Sequence, residues 1–189
     1  YNPDYCINLL ANQKPFHDPG EETCYHVTTI GYIIDELIKS ITQKSISQFI
    51  ADELICFSDK LQFYVGAPKI QLSNISNLIT ASDEYNSKLV KQDKYSNLAM
   101  KNPEIPKPDE LCRSEDWIFA KIPSSNCHSN ALSLAKIYDH FVNTNSEKKI
   151  VSEKSLKKAL TIESSRMDYV LRLPMKWGAT GFIIGGGRL

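Results

Sequence analysis

Apolar residues recur at spacings of three and four from residue 27 onward: Val27, Ile30, Ile34, Leu37 and Ile41. That period puts them on one face of a helix and is the strongest local signal in the chain. Thr42-Gln43-Lys44 closes the run. Ser45 and Gln48 then have capping-box spacing, in which the serine side chain accepts from an early helix N–H, and Phe49, Ile50 and Leu54 give a second helix its buried face. Upstream, Ile7, Leu10 and Ala11 predict a short helix over residues 5–14, which Pro15 and Pro19-Gly20 break. Gln62-Phe63-Tyr64-Val65-Gly66 is short, β-rich and bounded by glycine and proline, so it reads as a strand or extended segment.

The pattern weakens after that. Residues 70–100 are polar with scattered apolar positions and predict no definite element. Asn102 to Asp109 contains three prolines, which predicts a flexible surface loop over about 100–110. Ile122-Pro123-Ser124-Ser125-Asn126 predicts a polar turn before a helix that starts near Ser129, with Leu134, Ile137, Tyr138 and Phe141 on one side. Ile150-Val151-Ser152 leads into a capped helix on Leu156, Ala159 and Leu160. Lys176 to Ile184 has the look of a core β-strand, and Gly185-Gly186-Gly187 suggests a turn into a further strand. No internal repeat is visible.

Composition narrows the class. A chain of 189 residues with 42% apolar content is long enough for one domain with a real core. Its 22 basic and 22 acidic residues balance, which argues against broad nucleic-acid or anionic-membrane binding. No apolar run approaches the roughly 18 residues that span a bilayer. The chain opens Tyr1-Asn2-Pro3-Asp4 with neither a methionine nor the regions of a signal peptide, so trimming, processing or a partial chain is expected. Five widely spread cysteines (Cys6, Cys24, Cys56, Cys112 and Cys127) fit reduced thiols in an intracellular protein better than a disulfide framework.

Candidate chemistry begins at residues 16–27, F-H-D-P-G-E-E-T-C-Y-H-V: a turn at Asp18-Pro19-Gly20, polar residues, then Tyr25-His26 at the start of the periodic run. Taken alone, Tyr25 is a packing tyrosine at a helix start. The ordered series Leu9-Leu10-Ala11, Gln13-Lys14-Pro15-Phe16, Pro19-Gly20, Tyr25-His26, Gly31 and Glu36-Leu37-Ile38 resembles the serine β-lactamase-related family, which holds class C β-lactamases, penicillin-binding esterases and their eukaryotic relatives. Residues 27–65 look like the family's helix pair followed by F-Y-V-G-A-P. Ile122 to Asn126, Asn130-Ala131 and Leu134 to Tyr138 are similar to its loop and helix over the site. Val151-Ser152 to Leu160 resembles a further helix, and Asp168 to Leu171, Pro174, Lys176-Trp177-Gly178 and Gly181-Phe182 the segment leading into its central sheet. The resemblance covers most of the chain and is weakest over residues 66–110.

The resemblance implies an α+β, β-lactamase/transpeptidase-like fold: one partial domain over residues 1–189, helical over about 5–165, with the antiparallel sheet starting over about 176–189. It also implies acyl transfer from a small-molecule ester or amide. A serine attacks the carbonyl and forms an acyl-enzyme. A lysine one helical turn after that serine favours the phenolate of a tyrosine whose free pKa is about 10, and the tyrosine takes and returns the serine's proton. Two backbone N–H groups stabilise the oxyanion. By this resemblance Tyr25 is the proton shuttle, and Asn126 and Trp177 border the substrate cleft. The family often has Asn two places after the tyrosine; Val27 stands there, which counts against authentic β-lactamase activity more than against hydrolysis.

Other parts of the family pattern are not found. No Ser-x-x-Lys precedes Tyr25, and the third, strand-borne motif would follow residue 187. The chain is therefore expected to be the central segment of a larger hydrolase, inactive by itself. Ser133 to Lys136, Ser146 to Lys149 and Ser155 to Lys158 have Ser-x-x-Lys spacing but read as chance matches in a chain rich in both residues. Ser124-Ser125-Asn126 and Lys176-Trp177-Gly178 mimic two further motifs and read as a loop and a strand approach. Cys24, His26, Cys127 and His128 lack the paired spacing of a zinc set, so no metal and no cofactor is expected. A catalytically silent relative used as a binding module, or an unrelated helical interaction domain, are the alternatives; oligomeric state is left open.

Overall fold

The computed structural model describes residues 2–57, 60–82, 93–100, 106–143, 150–181 and 183–186. In chain order the helices are α1 (Pro3–Asn12), α2 (Thr29–Thr42), α3 (Ile46–Glu53), α4 (Lys94–Met100), α5 (Pro108–Leu111), α6 (Glu115–Phe119), α7 (Ala131–Val142) and α8 (Glu153–Ala159). The strands are β1 (Phe63–Val65), β2 (Cys127–Ser129), β3 (Ile162–Asp168), β4 (Leu173–Gly178) and β5 (Ile183–Gly186). Short 3-10 turns cover Ile55–Phe57 and Lys69–Asn74. Among the described residues, no helix is long and apolar enough to cross a membrane. The chain divides into two compact units.

The first unit holds Tyr1–Gln13, Val27–Thr80 and Pro106–Ile150. Several of its helices start where side chains satisfy the orphan N–H groups of a first turn. Asn2 accepts from the Tyr5 N–H at 3.0 Å ahead of α1, Ser45 from Gln48 at 3.3 Å ahead of α3, and Asn130 from Ser133 at 2.8 Å ahead of α7. The start of α3 is also tied to α2, because the Ile46 N–H donates to Asp35 Oδ1 at 2.6 Å. β1 and β2 pair antiparallel, with Tyr64 opposite His128. The buried cluster is Leu111, Trp117 and Ile122, with Tyr32 and Ala120 against it. Trp117 is delivered by α6, a five-residue helix that sequence patterning leaves unread. Ser114 caps it and Glu115 and Asp116 sit in its first turn, where acidic groups suit the helix dipole.

Gly66 ends β1 with a positive φ of 72°. Its N–H donates to the Asn126 carbonyl at 2.9 Å, and a β-carbon there would lie 2.7 Å from the Ala120 carbonyl oxygen and 2.8 Å from that of Phe119. Backbone strain and a clash with two rigid carbonyls add up, so Gly66→Ala is expected to cost about 2–4 kcal/mol of stability in urea unfolding. A wild-type midpoint would show that this strand end can shift freely.

The proline-rich stretch differs from the expected loop where it is described. Residues 101–105 lie outside the described residues, but Pro108 occupies the first turn of α5, where its missing N–H costs nothing. The face that the 27–41 period marks as core is largely open in the 189-residue chain, reaching 72% exposure at Ile41.

The second unit holds Lys14–His26, Ala81–Ile105 and Val151–Leu189. Its sheet is a meander, β3-β4-β5, antiparallel throughout. This corrects two expectations. The sheet begins at Ile162, inside the range expected to be helical, because I-E-S-S-R-M-D is a mostly exposed strand with little apolar alternation to betray it. The run 176–184 is not one strand: the chain turns at Ala179 to Gly181, where Gly181 takes a φ of 79° and its N–H returns to the Gly178 carbonyl at 3.0 Å. Gly185 and Gly186, expected in a turn, belong to β5. α4 is docked on the β3–β4 connection by a buried hydrogen bond from the Ser96 hydroxyl to the Val170 carbonyl, 3.0 Å.

Candidate active site

Residues 14–26 form a loop of the second unit whose path is set from both ends of β3. Asp18-Pro19-Gly20-Glu21 is a tight turn, with Pro at its second position, Gly20 at φ 91°, and the Glu21 N–H donating to the Asp18 carbonyl at 3.2 Å. The Arg166 guanidinium holds that turn, donating from Nη1 to the carbonyls of Gly20 at 2.7 Å and Glu21 at 2.9 Å. Thr23 then runs parallel to Asp168; the Tyr169 N–H donates to the Thr23 carbonyl at 2.9 Å, and the Thr23 and Ser164 hydroxyls are 3.2 Å apart.

Asp168 fixes the next residues. It is 0% exposed, and its Oδ1 accepts from the backbone N–H of Tyr25 (3.2 Å), Val170 (2.9 Å) and Leu171 (2.9 Å). One buried carboxylate oxygen thus closes the β3–β4 turn and anchors the Tyr25 backbone. The Tyr25 ring is stacked on Trp177 of β4, with centroids 6.2 Å apart and planes at 13°, and remains 37% exposed. Trp177 is half-buried, and its indole N–H is buried with no hydrogen-bond partner among the described residues. Tyr25 and Trp177 are thereby brought together in one place: an accessible phenol ring beside an unused donor.

Around this pair the charges are mixed. Burial pushes the Cys24 thiol up, and the Asp168 and Glu22 carboxylates push it further, against the opposing effect of Arg172. Cys24 is thus held as a thiol, which gives no support to a cysteine nucleophile. The Tyr95 phenol is also pushed up, first by hydrogen bonding to the Glu22 carboxylate, which disfavours it as a base. Tyr95 packs edge-on against Tyr169 at 6.1 Å and against His17 at 6.3 Å. Among the described residues, His17, Glu22 and Cys24 form a group of potential metal ligands.

Asn126 lies in the first unit, and its side chain is committed there. It is 2% exposed; Nδ2 donates to the carbonyls of Trp117 and Ala120, the latter at 2.6 Å, and Oδ1 accepts from His128 Nε2 at 2.6 Å. Burial pushes the His128 imidazole down, in keeping with a neutral ring bonded to a neutral amide. The preceding turn is pinned as well. The Ser124 hydroxyl donates to the Thr28 carbonyl at 2.5 Å, and Gly31 makes room for it, since a β-carbon there would lie 2.6 Å from the Ser124 nitrogen.

The internal Ser-x-x-Lys matches have structural uses. Ser133 is 1% exposed and its Oγ accepts from the Gln62 N–H at 2.9 Å. Ser155 meets the Ser152 hydroxyl at the α8 cap. Ser146 to Lys149 lies outside the described residues. Sequence reasoning missed Asp168, Arg166, Glu22 and Tyr95. The one available signal was the tight turn at residues 18–21, which demands something to hold it.

No protein-family model and no curated protein matches the chain. Solved structures do. A family VIII carboxylesterase superposes with a TM-score of 0.82 at 25% identity, over 98% of this chain and 48% of its own. A penicillin-binding protein homologue from Caulobacter crescentus gives 0.78 at 20% identity, over 97% and 49%. EstA from Arthrobacter nitroguajacolicus Rue61a gives 0.80 at 20% identity, over 95% and 48%. The chain spans about half the length of the solved chains it matches. Small antiparallel sheets among many helices, and this agreement along nearly all of its residues, identify the chain as one that carries the serine β-lactamase/transpeptidase fold.

Proposed function

We propose that the chain is the central segment of a serine hydrolase that transfers acyl groups from small-molecule esters or amides through a serine acyl-enzyme. Tyr25 is the proton shuttle and Trp177 borders the substrate. The observation that carries this reading is the state of Tyr25: backbone held by the buried Asp168 carboxylate, ring stacked on Trp177 and 37% exposed. A general base needs a fixed position and an open side, and this residue has both. The carboxylesterase among the matching structures points to esters as the substrate class. The unpaired indole N–H of Trp177 suits a substrate acceptor atom, because a buried donor without a partner costs free energy that a ligand recovers. The serine and lysine come from outside residues 1–189, since Ser133 is enclosed and already hydrogen-bonded.

A fluorophosphonate probe tests this. The 189-residue chain is expected to stay unlabelled and to turn over neither a chromogenic ester nor a cephalosporin. The product of the full reading frame is expected to be labelled at a serine outside these residues. Labelling at Ser133 would overturn the assignment of the nucleophile. A full-length product that is neither labelled nor active would establish a catalytically silent binding module instead.

A further inference from the structure

The turn at Asp18 to Glu21 folds His17 back toward Glu22, and the extended residues that follow set Cys24 beside them. One ligating atom from each of the three side chains lies within 4.8 Å of the other two, and all three residues are half-buried. We propose that His17, Glu22 and Cys24 form a binding site for a divalent metal ion of the zinc type, on the loop that ends in Tyr25.

Three observations converge on it. The donor set is an imidazole nitrogen, a carboxylate oxygen and a sulfur, the combination zinc accepts and calcium or magnesium does not. Among the described residues, Glu22 Oε2 is buried with no hydrogen-bond partner, a cost that a cation would remove. The third is the set of supports behind the donors. The His17 Nδ1–H donates to the Asp18 carbonyl at 3.1 Å; a carbonyl can only accept, so the neutral ring keeps its lone pair on Nε2. The Tyr95 ring stands edge-on against His17, with centroids 6.3 Å apart. An outer partner of this kind, a carbonyl on the imidazole, orients the ligands of metal sites.

The geometry needs little adjustment. Ligands at about 2.0–2.3 Å in a tetrahedron lie about 3.3–3.8 Å apart, so side-chain rotations of about 1 Å close the group. Three protein donors leave one position for water. Cys24 binds as the thiolate, and its proton leaves to solvent as the metal enters. The site is separate from the acyl-transfer chemistry and does not depend on it. Its effect is mechanical: it ties residue 17 to residue 24, directly before Tyr25.

The test is a titration of the purified protein with zinc against a chromogenic chelator, with cobalt(II) as a spectroscopic substitute. One zinc per chain is expected, together with a near-ultraviolet thiolate-to-cobalt charge-transfer band. Cys24→Ser and His17→Gln should each weaken binding by at least about a hundredfold and Cys24→Ser should abolish the band, while Cys127→Ser should change neither. Wild-type protein that binds no zinc, or shows no thiolate band with cobalt, overturns the proposal even if a variant fails to fold. So does a Cys24→Ser protein that binds as tightly as wild type. Neither result bears on ester hydrolysis, so this site and the hydrolase reading stand or fall separately.

Discussion

Replacing Tyr25 by Phe in the full-length protein is expected to lower kcat for ester hydrolysis by about 10²–10⁴-fold, with KM within a factor of about three of wild type. The phenylalanine ring keeps the stack on Trp177, and the backbone N–H keeps its bond to Asp168. What is lost is only the oxygen that, in the proposed mechanism, takes the serine's proton and returns it to the leaving group. In barrier terms that is about 3–5 kcal/mol. Because the loss falls on proton transfer rather than on substrate contact, it belongs in kcat. Steady-state kinetics separates the two, and the urea midpoint of the variant should match wild type. A Tyr25→Phe protein with wild-type kcat would remove Tyr25 from the chemistry and the hydrolase reading with it.

Asp168→Ala is expected to destabilise the protein by about 3–5 kcal/mol, the upper end for a single substitution. The buried Oδ1 satisfies three backbone N–H groups, and removing it leaves all three without an acceptor. Each orphaned buried donor costs about 1–3 kcal/mol, and local relaxation keeps the sum below three full penalties. Asp168→Asn should cost less, about 1–2 kcal/mol. It keeps one acceptor oxygen, loses the charge-assisted part of each bond, and puts an amide group where Oδ2 has no hydrogen-bond partner. Denaturant unfolding of the pair decides the matter. An alanine variant within about 1 kcal/mol of wild type would mean that the loop finds other acceptors, and that Asp168 does not set the position of Tyr25.

The contrast between Tyr25 and Asp168 shows what could be read in advance. Helices legible from spacing alone were found where expected: α2 from its three-and-four period, α3 from Ser45 and Gln48, α8 from Ser152. Their faces were less legible. The α2 stripe at Ile30, Ile34, Leu37 and Ile41 is apolar but stays largely exposed, whereas Trp117, in a stretch with no period, sits in the buried cluster. Periodicity reports a face and does not say what covers it. β3 was missed because exposed strands carry polar residues that look like helix or loop. Tyr25 and Trp177 could be nominated through resemblance, since their residue types are part of a pattern. Asp168 could not be assigned a role, because its partners are main-chain N–H groups, which every residue but proline carries and no sequence distinguishes.

The bond between Tyr25 and Asp168 joins residues 143 positions apart. Drawing the ends of a segment that long together costs on the order of 4 kcal/mol in chain entropy, recovered only when β3 and its hairpin partner are in place. During synthesis from the N-terminus, Tyr25 leaves the ribosome long before the carboxylate that will seat it. The tyrosine therefore gains its orientation only once residues 162–178 have been made, and a nascent chain that has not reached them holds this loop without a dock.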